Sequence, residues 1–176
     1  MAAGVVIREG SPDDLPALEA LYPAAFPDED LPPLVRDLFG ASDGVSSLVA
    51  VTPGGEIVGH VAFTRCGVDG RSERLELLAP LAVAAARRRR GLGGALVREG
   101  LRRLADLGTA RVLVLGDPAY YGRFGFEPEA AVLPPHPLPQ EWRDAWRSLR
   151  LRDVDPPLAG RLELPPFWLH PALWAP

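Results

Sequence analysis

LAVAAARRRRGLGGALVREGLRRLADLG, residues 81–108, is the stretch whose reading decides the fold. An apolar run enters four consecutive arginines, Arg87, Arg88, Arg89 and Arg90, then a glycine-rich turn, then a helical pattern. From Leu92 the apolar residues fall at Leu92, Leu96, Val97, Leu101 and Leu104. That spacing of three and four marks one buried helix face. Arg98, Arg102 and Arg103 lie off the stripe, and Gly108 is placed to end the helix in the left-handed conformation. Upstream, LELLAPLAV (75–83) is too short and too apolar to be anything but a strand or a buried segment. The arginines and glycines therefore occupy the entry loop and first turn of a helix. Its first N–H groups have no intrahelical partner and carry the positive end of the helix dipole. Glycines at 91, 93 and 94 leave that backbone open to a ligand. The arrangement suits an anion such as a phosphate or pyrophosphate; a merely solvated arginine face is the competing reading.

Two other nucleotide motifs fail on residues. The chain has no lysine, which removes a Walker-type loop, and a dinucleotide fingerprint needs glycine or alanine where Leu96 stands. With 176 residues, 47% hydrophobic and 24% charged, residues 1–176 are expected to form one globular domain with a proper core. A net charge of −4 opposes general nucleic-acid binding. No aromatic residues interleave with the arginines to stack on bases, so no nucleic-acid partner is expected. The single cysteine, Cys66, excludes a disulfide framework and a cysteine zinc site, and reads as a small buried hydrophobe. His60, His136 and His170 are scattered without ligand spacing, so no metal is expected. No signal-peptide pattern and no run of membrane-spanning length is present, so the expected location is cytoplasmic, without a membrane partner. Arginine without lysine, with abundant alanine and proline, points to a GC-rich bacterial genome.

Along the chain, VVIREG (5–10) reads as a strand. A helix follows with Ser11 as N-cap and Pro12 at its first position. LPPLVRDLF is a second helix ended by Gly40. SSLVAV and EIVGHVAFTRC are strands joined at TPGGE, and RLELLAPLAV is the next. After the long helix come a buried strand RVLVL (111–115), one helical turn within GDPAYYGRFGF (116–126), and a strand near FEPEAAVL. From 134 the chain is proline-punctuated, with short strands at AWRSLRLR and GRLEL and an extension expected to pack on the sheet. Adjacent antiparallel strands early and a βαβ unit in the middle give an α/β (α+β) fold with a mixed sheet of about 6–7 strands.

This order and two separated motifs resemble the GNAT superfamily of acyl-CoA-dependent N-acyltransferases. The superfamily signature Gln/Arg-x-x-Gly-x-Gly/Ala at a strand–helix junction is matched by Arg88, Arg89, Arg90, Gly91, Leu92 and Gly93. A second pattern, Tyr-x-Lys/Arg-x-Gly-Phe, is matched by Tyr121, Gly122, Arg123, Phe124, Gly125 and Phe126. The fuller string GDPAYYGRFGF, with a proline-rich tail containing PPFW, is similar to a small bacterial branch of predicted acetyltransferases. An asparagine often found shortly before the tyrosine in that superfamily is absent, Asp117-Pro118 standing in its neighbourhood.

The resemblance implies acetyl-CoA as cosubstrate, bound along Arg88, Arg89, Arg90, Gly91, Leu92, Gly93, Gly94 and Ala95. Backbone N–H groups from Arg89 to Gly94 cradle the pyrophosphate, and arginine side chains add long-range attraction, with one or more reaching the 3′-phosphate. The pantetheine arm pairs with the backbone at Leu81, Ala82 and Val83 as an added strand, and an N–H in that run polarises the thioester carbonyl. The strands around LELLAPLAV and RVLVL splay to admit the thioester. Tyr121 is the implied proton donor to the departing thiolate, with Tyr120 one residue out of register. Glu76, an isolated carboxylate in an apolar strand, is the first candidate for the base that deprotonates the amine; a solvent-facing strand residue is its other reading. Glu73, Asp28, Glu29 and Asp30 are weaker alternatives. Trp142, Trp146, Trp168 and Trp174 are expected to cover the sheet edge, and His60 to be structural. The acceptor is an amine of a small molecule, peptide or protein, and a homodimer is compatible with the reading. A non-catalytic acyl-CoA sensor or interaction module is the rival class, which the intact tyrosine motif disfavours.

Overall fold

A computed structural model describes residues 4–41 and 43–176. The strands are β1 (Val6–Glu9), β2 (Val45–Val51), β3 (Ile57–Val68), β4 (Leu75–Val83), β5 (Arg111–Leu115), β6 (Glu127–Pro128), β7 (Val132–Leu133), β8 (Trp146–Arg150) and β9 (Gly160–Glu163). The helices are α1 (Leu15–Ala25), α2 (Pro32–Gly40), α3 (Leu92–Asp106) and α4 (Pro118–Gly122), with short 3-10 turns between some elements. Hydrogen bonding orders the strands β1-β2-β3-β4-β5-β8-β6, with β9 pairing β3 and β7 off that path. This is the mixed sheet the sequence pattern predicts, except that the one strand expected near FEPEAAVL is divided into β6 and β7, which pair with different neighbours, β8 and β9. The chain forms two compact units: Met1–Phe63 with Ala79–Arg102, and Thr64–Leu78 with Arg103–Pro176.

In the first unit β1 and β2 are antiparallel, from Val6↔Val51 to Glu9↔Leu48. Ser11 and Pro12 open a 3-10 turn, Pro12–Asp14, that leads into α1, so the expected helix begins one turn later as an α-helix. Asp14 fixes that turn. Its Oδ2 accepts the Ser11 N–H at 2.8 Å, and its two oxygens receive Arg8 Nη1 and Nη2 at 2.8 and 2.9 Å. The apolar faces of α1 and α2 supply Leu18, Leu21, Tyr22, Ala25 and Val35 to a core completed by Val49 and Ala82. On α3, Leu92, Leu96, Val97 and Leu104 are buried as the spacing predicts while Leu101 of the same stripe is half-buried, and Gly108 takes φ +82° just beyond the helix.

The second unit is built on β5. It pairs parallel with β4 at Leu75↔Arg111, Glu76↔Val112 and Leu77↔Leu113, and antiparallel with β8 from Arg111↔Arg150 to Leu115↔Trp146. The parallel ladder is confined to those three pairs among the described residues, whereas β4 runs on to Val83. Pro80 in that continuation has no N–H to give a ladder. The tail tryptophans are packing residues. Trp146, Trp168 and Trp174 are buried and meet edge to face, with Trp146–Trp174 centroids 5.8 Å apart. Each indole N–H is satisfied: Trp146 by the Val132 carbonyl, Trp168 by Thr64 Oγ1, and Trp174 by the Trp168 carbonyl. Trp142 is only half-buried. Among the described residues no helix is long and apolar enough to cross a membrane.

Candidate functional site

The strand–helix junction has the chemistry of an anion cradle. Val83 ends β4, a 3-10 turn covers Ala85–Arg87, and α3 begins at Leu92. Two residues between them take left-handed backbone, Arg89 at φ +61° and Gly91 at φ +77°. Of the three glycines it is Gly91 that takes the left-handed conformation, whereas Gly93 and Gly94 lie within the first turn of α3 without positive φ. The Ala95 N–H bonds the Gly91 carbonyl at 3.0 Å, closing the first helical turn. The N–H groups of Leu92, Gly93 and Gly94 are those a helix leaves without an intrahelical acceptor. Arg88 is committed to the protein: its Nη2 donates to the Ala25 carbonyl at 2.9 Å and its Nε to the Val83 carbonyl at 3.4 Å. Arg89 and Arg90 are exposed and have no protein partner among the described residues. A positive loop, the first N–H groups of α3 and two guanidinium groups directed at solvent supply the positive charge and donors that an anion requires. Leu81, Ala82 and Val83 precede the loop at the end of β4, with Ala82 buried and its neighbours half-buried.

Tyr121 sits on α4, the single turn predicted after β5. Asp117 caps it, its Oδ1 accepting the Ala119 N–H at 2.9 Å, and Pro118 takes the first helical position. Gly125, at φ +94°, ends the turn, and the Phe126 N–H returns to the Tyr121 carbonyl at 3.3 Å. The Tyr121 ring is 9% exposed, packed on Phe126 and edge-on to Tyr120 at 5.0 Å between centroids. Burial, with the neighbouring Tyr120, pushes the Tyr121 hydroxyl above the ordinary tyrosine range. At neutral pH it holds its proton and is a donor.

Glu76 is fully buried, so it is not the solvent-facing strand residue of its alternative reading. Arg74 Nε and Nη2 both approach its Oε1 at 2.8 Å, while Oε2 has no hydrogen-bond partner. Burial raises this carboxyl to about 7, against the opposing pull of Arg74 and Arg65. A carboxyl poised there can exchange a proton near neutral pH. The weaker carboxylate candidates differ from it. Glu73 is held by Arg71 and shifted below the usual range, and Asp28, Glu29 and Asp30 are exposed. His60 is buried in a satisfied chain, Nδ1 to Tyr22 Oη at 2.6 Å and Nε2 to Ser47 Oγ at 2.8 Å; burial lowers it to about 3, so it stays neutral. Cys66 is a free, buried thiol pushed up by burial.

A family model described as the Acetyltransferase (GNAT) family matches residues 15–126. The chain belongs to the GNAT family of N-acetyltransferases. An uncharacterized N-acetyltransferase of Escherichia coli, YhbS, is 41% identical over 123 residues, 70% of this chain and 74% of its own length. The crystal structure of Escherichia coli YhbS in complex with CoA superposes with a TM-score of 0.86 at 34% identity, covering 97% of this chain and 94% of that one. A GNAT acetyltransferase of Brucella melitensis in complex with acetyl-CoA follows at TM-score 0.75 and 28% identity, covering 93% and 97%.

In this GNAT chain, Leu81, Ala82, Val83 and the run 88–95 belong to the first compact unit, and Glu76 and Tyr121 to the second. Two residues escaped the sequence reading. Gly116 leaves the room that the Tyr121 ring fills, since a Cβ at 116 would collide with that ring. Its place at the head of GDPAYYG was a visible signal, read only as a turn. Arg74 is the other. Its partner Glu76 lies two residues on, the spacing of a same-face pair in a strand.

Proposed function

We propose that this protein transfers the acetyl group of acetyl-CoA to a primary amine of a small molecule or of a peptide or protein, by direct attack of the amine on the thioester. The reading rests first on the junction of β4 and α3: Gly91 and Arg89 in left-handed backbone, the free N–H groups of α3, and the exposed Arg89 and Arg90. Those groups hold the cosubstrate phosphates, and the backbone of Leu81, Ala82 and Val83 takes the pantetheine arm as an added strand. A strand N–H there donates to the carbonyl oxygen as it becomes an oxyanion.

Glu76 receives the proton that the amine loses, directly or through water, as the N–C bond forms. Collapse of the tetrahedral adduct breaks the C–S bond, and the Tyr121 hydroxyl gives its proton to the departing sulfur. The whole chain acts as one acetyltransferase domain. The test is acetyl-CoA turnover against spermidine, glucosamine and a short peptide with a free α-amine. Thiol release and product mass are read together: one thiol per acetylated amine supports the reading. Acetyl-CoA binding without transfer to any amine would replace it with an acyl-CoA-binding module.

A further inference from the structure

We infer that Arg74 is a positioning residue for Glu76: its guanidinium occupies one carboxylate oxygen and leaves the other as the proton-accepting face. The inference rests on the reading of Glu76 as the base. Both Nε and Nη2 of Arg74 converge on Oε1 at 2.8 Å, and Oε2 is buried without a partner. Arginine often spans both oxygens of a carboxylate with its fork, as Arg8 does on Asp14 with Nη1 on Oδ2 and Nη2 on Oδ1. Glu129 supplies a second contrast, with donors on both of its oxygens. Arg111 Nη1 and Ser148 Oγ donate to Glu129 Oε1 at 3.1 and 2.7 Å, while the Ala131 and Val132 N–H groups donate to Oε2 at 2.8 and 2.9 Å. Burial pushes Glu129 up, yet those four donors hold it below the usual range. Glu76, with one oxygen idle, goes the other way.

Arg74 is itself anchored at the head of the parallel ladder, where its carbonyl accepts the Ala110 N–H at 2.7 Å. The guanidinium therefore has a fixed origin from which to set the Glu76 rotamer. Arg65 on β3 adds a weaker attraction, and Cys66 on β3 is a buried thiol. Val112, the register partner on β5, is uncharged. Arg74 thus supplies most of the opposition to burial, keeping enough of the carboxyl ionised to act near neutral pH.

The experiment reads Glu76 in two ways. The first is the pH titration of its side-chain carboxyl by carbon-13 NMR in protein labelled at glutamate, the signal assigned by its loss in Glu76→Gln. The second is the pH dependence of kcat/KM with acetyl-CoA and spermidine, glucosamine or the peptide amine. In Arg74→Gln the carboxyl should titrate about 1–2 units higher, lowering kcat/KM at pH 7 by about 5- to 50-fold, with rate recovered at higher pH. Arg74→Lys, which keeps the charge without the fork, should shift both in the same direction by less, and it carries the test if Arg74→Gln does not fold. An unmoved carboxyl titration overturns the inference while leaving Glu76 free to be the base. A moved titration with an unmoved rate profile overturns it too, and shows that Glu76 is not the base. The inference stands only if both move together.

Discussion

Replacing Glu76 with glutamine should change how stability depends on pH, and the size of the change follows from its burial. The wild-type carboxyl lies at about 7 in the folded protein against an ordinary 4.5, because burial disfavours its charge. Below 4.5 both folded and unfolded states are protonated, and the stabilisation is fully present. As pH rises, the unfolded chain loses the proton first, so the folded state becomes progressively less favoured until its own carboxyl ionises near 7. Above that the loss is complete. Each unit of displacement is about 1.4 kcal/mol, so wild type should lose about 2–3 kcal/mol between pH 5 and 8 through this residue alone. Glu76→Gln has no such titration. Urea unfolding of both proteins in half-unit pH steps removes the contribution of every other group by difference. Stability of the variant minus that of wild type should rise by about 2–3 kcal/mol across the window. A difference constant to within about 0.5 kcal/mol would mean that Glu76 titrates as a hydrated carboxyl, and the physical basis for its role as a base would be gone.

Tyr121→Phe should leave acetyl-CoA affinity nearly intact and lower kcat toward the small end of the about 10²–10⁴-fold range for a positioned acid, since a thiolate leaves readily. Tyr120→Phe run beside it decides the register, and loss in that variant alone would move the role by one residue. Gly91→Val places a β-branched side chain at φ +77°. It should cost about 1–3 kcal/mol of local strain and weaken acetyl-CoA binding in calorimetry more than a surface change would. Gly116→Ala should lower kcat by displacing the Tyr121 ring, and unaltered kinetics in a folded variant would show that the ring position does not matter.

Much of the fold was legible because it is written in period and punctuation. The stripe from Leu92 to Leu104 and the stop at Gly108 act through neighbours in sequence, and the structure follows them, whereas Ser11 opens a 3-10 turn rather than the α-helix itself. Glu76 was legible as a lone carboxylate in an apolar strand but not as buried, because the strand is apolar on both faces and so carries no alternation to show which face is solvated. The glycines illustrate the opposite limit. Three glycines announce a backbone that must be open, yet which one takes the left-handed conformation depends on where the helix begins, and that fell to Gly91, with Arg89 sharing it. The hydrogen bond of Arg88 to the Ala25 carbonyl, 63 positions earlier, is a long-range contact that no local pattern announces. Gly116 is visible as a turn residue, but its role is defined by the Tyr121 ring that folds back on it.

Calorimetric titration of acetyl-CoA into the protein, at about 50 mM and about 300 mM salt, tests the central claim most directly. Phosphates meeting Arg89, Arg90 and the free N–H groups of α3 should give saturable binding at low salt. Affinity should fall at high salt as long-range attraction is screened, while contacts at hydrogen-bond range persist, because the Debye length of about 8 Å at physiological salt exceeds them. The double variant Arg89→Ala, Arg90→Ala should bind more weakly and lose part of that salt dependence. No binding of acetyl-CoA at low salt would contradict the assignment of this junction as the cosubstrate site.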